Sequence, residues 1–236
     1  QVDTQGGAYV AGNLATSGGD FVGRDKIVTV QQVFSESDIQ DQNNRRILRQ
    51  MVKQYWIEGV LDHSLDHEAA IRLGIADRSS LVENRPWRVI PQQTDETART
   101  LPPGISIVDV FDQMGQRMLI LGEPGAGKTT MMLELARALI KRADEAPGLH
   151  SPVVFNLSSW VQHKAPMSEW LVDELGIRYS IPKKVAQTWI EHDKLLLLLD
   201  GLDEVQSEHR SDCVEAINQF LQEHLVPLAV CSRLAE

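Results

Sequence analysis

Gly122-Glu123-Pro124-Gly125-Ala126-Gly127-Lys128-Thr129-Thr130 is the stretch whose residue types and spacing point most directly to chemistry. It satisfies G-x-x-x-x-G-K-[ST] between an apolar run, Met118 to Leu121, and an apolar-periodic segment that starts at Thr130. Glycines let a backbone fold around an anion with its N–H groups inward, and a helix opening there adds a favourable field for phosphate. In such a turn Lys128 would reach the terminal phosphates and the Thr129 hydroxyl would coordinate Mg²⁺. A chance glycine-rich turn is the bland alternative. It is disfavoured because the lysine and threonine stand where phosphate chemistry needs them. The pattern implies a nucleoside triphosphate site over residues 122 to 130.

A second group of acids follows Leu195-Leu196-Leu197-Leu198-Leu199, in the run Asp200-Gly201-Leu202-Asp203-Glu204. A carboxylate ending a buried parallel strand faces the crevice where ligands bind, so Asp200 is placed to hold Mg²⁺ directly or through water. Asp203 and Glu204 offer acids to orient or deprotonate a water for in-line attack on a γ-phosphate. Glu204 is the preferred candidate, with Asp203 near Mg²⁺ or sharing the task. An acidic turn that only solvates the strand end is the alternative. Ser232-Arg233 follows another short apolar run, and Arg233 is a candidate to sense γ-phosphate charge, against a plain surface arginine. His63 and His67, beside Asp62 and Asp66, have the spacing of a helix-surface metal pair; an exposed helix end is the preferred reading.

These groups need elements to position them. Leu119 to Leu121, Val153 to Leu157, Leu195 to Leu199 and Leu228 to Cys231 read as strands. Helical spacing fits residues 105–111, the stretch after the glycine turn through Ile140, then 168–175, 182–191 and 208–223. Strands alternating with helices in this way predict a parallel α/β sheet. Upstream, Ile47 to Leu61 has helical periodicity behind capping candidates Ser35 and Ser37, with Gly59 weakening but not ending it. A further helix is expected at 68–73. Residues 77–104 read as a linker whose Trp87, Val89 and Ile90 lie against a nucleotide base or simply against the core. Residues 1–33 carry a loose glycine-bounded repeat, read either as a short hairpin or as an arm. The expected division is an arm over 1–33, a helical lead-in and linker over 34–100, and a nucleotide-binding domain over 101–236.

Composition sets outer bounds. The 236 residues suffice for one sizeable core, and a formal charge of −10 argues against broad nucleic-acid binding. The two cysteines have no metal spacing and read as reduced thiols of a cytoplasmic protein. No apolar run approaches a membrane span. The opening residue is Gln1, so the chain reads as an excised piece of a longer one.

GEPGAGKTT at 122–130, LLLLLDGLDEV at 195–205 and VCSR at 230–233 together resemble the NACHT domains of the signal-transduction ATPases with numerous domains, of the bacterial type. The small residue after Asp200 and the acidic pair close behind it are what set that group apart. The resemblance covers about 105–233, with 38–100 like the helical lead-in of bacterial members. It implies an incomplete α/β P-loop NTPase fold of the ASCE/AAA+-like kind, a three-layer parallel sheet. It also implies ATP/ADP and Mg²⁺ as ligands, with Lys128 and Thr129 on phosphate and Mg²⁺ and Asp200 as the Walker B aspartate. Asp203 and Glu204 would be the catalytic acids and Arg233 the sensor arginine. Such proteins use nucleotide exchange and slow hydrolysis to pass from a closed monomer to an open oligomer that activates an attached effector, in several bacterial cases against phage. They continue into a small helical and a winged-helix domain, whereas this chain stops at Glu236. The phosphate strand is therefore expected at an open edge, with weak binding and poor hydrolysis. A non-hydrolysing scaffold is the alternative. A GTP-binding regulator is a further one, disfavoured because no Asn/Thr-Lys-x-Asp element is present.

Overall fold

Five consecutive leucines and an aspartate, Leu195–Asp200, form a strand in which every residue is buried, so the sheet is covered on both faces there. The computed structural model describes residues 35–63, 88–89, 99–100, 106–163 and 165–233. Four parallel strands make the main sheet: β1 (Arg117–Leu121), β2 (Ser151–Asn156), β3 (Leu195–Asp200) and β4 (Leu228–Ser232). Their order is β1-β4-β3-β2, with Leu121 opposite Ser232 and Asn156 opposite Asp200. Among the described residues β1 is thus an edge strand, and Leu119 on it is 56% exposed. This is the open edge the sequence predicts for the phosphate strand. A separate two-residue antiparallel ladder joins Arg88–Val89 to Arg99–Thr100.

Sequence and structure differ mainly at element ends. β2 begins at Ser151 rather than Val153 and includes Pro152. A proline lacks the ladder donor, and β2 tolerates it because it is the other edge of the sheet. Besides a single turn at Trp160–His163, the longer helices that connect and flank the strands among the described residues are α2 (Ile107–Gln113), α3 (Lys128–Glu145), α4 (Met167–Tyr179), α5 (Lys183–Glu191) and α6 (Ser207–Glu223). Ser106 starts α2 by accepting the Val108 N–H at 3.3 Å. Helix α4 runs past the expected end at 175 and through Gly176. Its last turn is held by buried Tyr179, and Ser180 in the left-handed region closes it.

The chain divides into two compact units, Gln1–Ile39 and Gln40–Glu236. In the first, Ser35 and Asp38 exchange hydrogen bonds, Ser35 N to Asp38 Oδ2 at 3.0 Å and Asp38 N to Ser35 Oγ at 3.2 Å, a reciprocal cap. The helix it opens is α1 (Glu36–Val52), followed by a π-helical stretch, Lys53–Asp62, that contains Gly59. In π geometry residues five apart share a face. That places Val52 with Ile57 and Trp56 with Leu61, all four buried. Arg45 and Arg49 are also buried: Arg45 bonds Asp41 and the Leu149 carbonyl, and Arg49 bonds Asp144 and Ser151. Further along, the Trp56 indole donates to Tyr179 at 2.9 Å and Tyr179 donates to the Val154 carbonyl of β2 at 2.6 Å. Asp62 pairs with Arg137 of α3. No helix among the described residues is long and apolar enough to cross a membrane. The expected helix at 68–73, the arm over 1–33, and Asp66, His67, Trp87 and Ile90 lie outside the described residues.

Candidate functional site

All four strands end on one side of the sheet, and the candidate residues lie at or just beyond those ends. The turn after β1 is shaped first by backbone. Gly127, the residue before α3, has φ 81°, in the left-handed region that glycine enters without strain. Lys128 then folds back over the turn, its ammonium donating to the carbonyls of Gly122 at 3.0 Å and Glu123 at 3.3 Å. The loop's own bonds are the Ala126 N–H to the Glu123 carbonyl at 3.0 Å and the Gly122 N–H to the Ser232 carbonyl at 3.3 Å. Pro124 and Gly125 lie exposed at its tip, and Thr130 is half-buried in the first turn of α3.

Thr129 is where the two sequence motifs meet. Its hydroxyl donates to Asp200 Oδ2 at 2.9 Å. Asp200 is only 8% exposed, and burial pushes its carboxyl above the ordinary value of 3.8 while the Thr129 bond, the Cys231 thiol and the Gly201 N–H hold it down. Cys231 itself lies 3.6 Å from the Lys128 carbonyl, with its thiol pushed up by burial and by the neighbouring Asp200, so it stays protonated. An alcohol and a carboxylate oxygen this close are hard donors of the kind Mg²⁺ takes. Mg²⁺ needs few protein ligands when phosphates and waters complete its shell. Among the described residues no cluster of three or more His, Cys, Asp or Glu is present.

Beyond Asp200 the chain turns at Gly201, φ 78°, into a short 3₁₀ turn, Leu202–Glu204. A Cβ on Gly201 would lie 2.9 Å from Glu204 Oε2, so the glycine makes room for that carboxylate to fold back over the strand end. Glu204 also accepts a long 3.4 Å bond from Asn156 Nδ2 at the end of β2. Asp203 is different. Its side chain is 9% exposed and accepts the Arg233 Nε–H at 2.7 Å. Its carbonyl accepts from Arg210 at 3.0 Å. Arg233, the first residue after β4, is 56% exposed.

The structure therefore brings Thr129 and Asp200 together across the end of β4, with Lys128 folded over the glycine turn next to Thr129, and pairs Arg233, just past β4, with Asp203 in the turn that also holds Glu204. Sequence reasoning missed Asn156 as a neighbour of Glu204; a polar residue ending an otherwise apolar strand was the available signal. Cys231 lies in the strand expected over Leu228 to Cys231, and its contact with the site follows only from strand order. His63 is exposed at the end of the π-helical stretch.

A hydroxyl opening the helix after one strand and a carboxylate closing another, bridged across an intervening strand, separates a phosphate-binding turn from an ordinary β–α connection. With the parallel order β1-β4-β3-β2 this defines an α/β P-loop NTPase. Residues 116–232 match the family model of the NACHT domain, and that part of the chain is a NACHT domain of the P-loop NTPase fold. No curated protein matches it in sequence. Among solved structures it resembles PCH-2 of C. elegans at 19% identity and a TM-score of 0.33, over 50% of this chain and 30% of that one. The matched part is thus less than a third of PCH-2, and so partial a likeness adds nothing on activity or partners.

Proposed function

We propose that the chain is the nucleotide-binding core of a switch that holds ATP or ADP with Mg²⁺ and hydrolyses ATP slowly. The observation that carries this reading is the Thr129–Asp200 hydrogen bond, which joins the glycine turn to the acid ending β3. In this reading the backbone N–H groups of residues 122 to 129 cradle the phosphates, and Lys128 neutralises the terminal ones. Thr129 and Asp200 would hold Mg²⁺, which when bound would supply positive charge to the phosphates. Glu204, folded over Gly201, orients the attacking water. Arg233 meets the charge that grows on the γ-phosphate.

The wider role rests on the resemblance of the motifs rather than on site geometry. It is a signalling protein of several domains in a cytoplasmic setting, self-associating in its ATP form, with antiphage defence in bacteria as the physiological context. The first experiment compares binding of ATPγS and ADP with phosphate release. Lys128→Ala is expected to weaken both nucleotides by at least about a hundredfold, the scale of losing a buried charge-assisted contact. Glu204→Gln is expected to retain binding and lower turnover by about a hundredfold or more. Undiminished affinity in Lys128→Ala would end the proposal. Competition of GTP against ATP tests the base, with preference for ATP expected.

A further inference from the structure

Two acids follow Gly201, and their surroundings are not alike. The Glu204 carboxylate lies over the strand end at Gly201, held among the described residues by the long 3.4 Å contact from Asn156. The Asp203 carboxylate is nearly closed off, with Oδ2 taken up by Arg233 Nε at 2.7 Å. Its backbone is fixed too, since Arg210 donates to the carbonyls of Asp203 at 3.0 Å and Val205 at 3.3 Å. A water-activating acid must present a free oxygen lone pair to the water and to its proton. A carboxylate engaged by a guanidinium and shut from solvent is badly placed for that and well placed to hold the guanidinium still.

We infer that Asp203 is a positioning residue for Arg233 and that the water-activating task falls to Glu204 alone. This rests on the nucleotide reading above and divides the labour within it. The manner of the pairing matters. Asp203 takes Arg233 by Nε, on the side of the guanidinium, and the two terminal nitrogens carry no hydrogen bond to the described residues. An arginine gripped at Nε keeps its terminal N–H groups for a second oxyanion. Arg233 directly follows Ser232, whose carbonyl bonds the Gly122 N–H that begins the phosphate turn. The strand that carries Arg233 lies between the strand of the glycine turn and the strand of Asp200. The free end of the guanidinium therefore belongs to the gap in which a γ-phosphate would stand. Asp203 reduces the orientational freedom of a side chain that is otherwise 56% exposed.

The test is discrimination between a nucleotide with a γ-phosphate and one without, measured on the full chain as the ratio of ATPγS to ADP affinity in Mg²⁺. Wild-type ADP binding and its loss in Lys128→Ala are checked first, so failure of the nucleotide reading appears there and failure of this inference only in the ratio. Asp203→Asn is expected to weaken ATPγS about tenfold, the scale of one charge-assisted contact at a half-exposed site, while ADP stays within about twofold. Arg233→Gln is expected to do the same. The double variant should be no worse than Arg233→Gln, because both remove one unit. Glu204→Gln should keep the ratio and lose turnover. If Asp203→Asn folds poorly, Asp203→Glu replaces it, and a retained charge should keep the ratio within about threefold of wild type. An Asp203→Asn or Asp203→Glu variant that keeps the ratio but loses turnover as Glu204→Gln does would overturn the assignment. Additive losses in the double variant would do so as well.

Discussion

At the scale of single residues the site trades stability for chemistry. Asp200 is buried with a hydroxyl and a thiol for company, and no lysine or arginine among the described residues pairs with it. Burial raises its pKa above 3.8, so the folded state holds its proton more tightly than the unfolded chain does. By linkage this group's contribution to stability then falls as pH rises from 3.8 through the raised value. Asp200→Asn keeps an acceptor for Thr129 and removes the charge. It is expected to raise the melting temperature of the nucleotide-free chain at pH 7 by about 2–4 °C, roughly 1 kcal/mol, while abolishing the Mg²⁺ dependence of binding. Thermal scans with and without Mg·ADP read both effects. Gly201 makes the complementary case. Alanine there must adopt φ near 78° and meet Glu204 Oε2 at 2.9 Å, so Gly201→Ala should lower stability by about 1–2 kcal/mol and slow phosphate release, with ADP binding retained. The meeting of the glycine turn with Asp200, seen in the Thr129–Asp200 bond, was legible in the sequence because the motif spacing fixes which residues stand at the strand ends. The Asp203–Arg233 pair was not, since neither residue type nor spacing says which of two adjacent acids a distant arginine will choose.

Elements were legible where one physical demand dominates. Leu195 to Leu199 has no polar residue and so belongs in the middle of a sheet, and α3 buries the apolar positions that its periodicity marks out. Boundaries shifted where a tertiary contact outweighed a local signal. Gly176 should end α4, yet the helix continues to Tyr179, whose hydroxyl joins the Trp56 indole to the Val154 carbonyl. Arg45 and Arg49 are buried because each finds enough acceptors to satisfy its guanidinium. Asp41 is one turn from Arg45, but the other acceptors come from residues about a hundred positions away, of which sequence gives no sign. The Trp56–Tyr179–Val154 relay ties the π-helical stretch to β2, two residues before Asn156. Tyr179→Phe leaves the indole N–H and a strand carbonyl without that partner in a buried place. The expected loss is about 1–3 kcal/mol of stability, measured by urea denaturation, with an unchanged m-value if the fold is retained.

The molecule as a whole presents a sheet that is finished on one flank and open on the other. β2 closes one edge with a proline near its start, a device that discourages further pairing. β1 has no such protection among the described residues. Its exposed positions Arg117 and Leu119 alternate with the buried Ile120, so one face of the phosphate strand meets solvent through a 56% exposed leucine. Strand order made this edge predictable, because β4 takes the single place beside β1 and no other described strand reaches it. A free backbone edge next to an exposed apolar side chain favours association of like chains. The formal charge of −10 opposes that association at low salt, and screening weakens the opposition as salt rises. Light scattering of this chain should therefore show self-association that grows between about 0.05 and 0.5 M salt, as the Debye length contracts several-fold. Leu119→Lys places a charge on the open face and should suppress that growth, while Lys128 and Thr129 still bind nucleotide within about twofold of wild type. Association that survives Leu119→Lys unchanged would mean that another surface drives it.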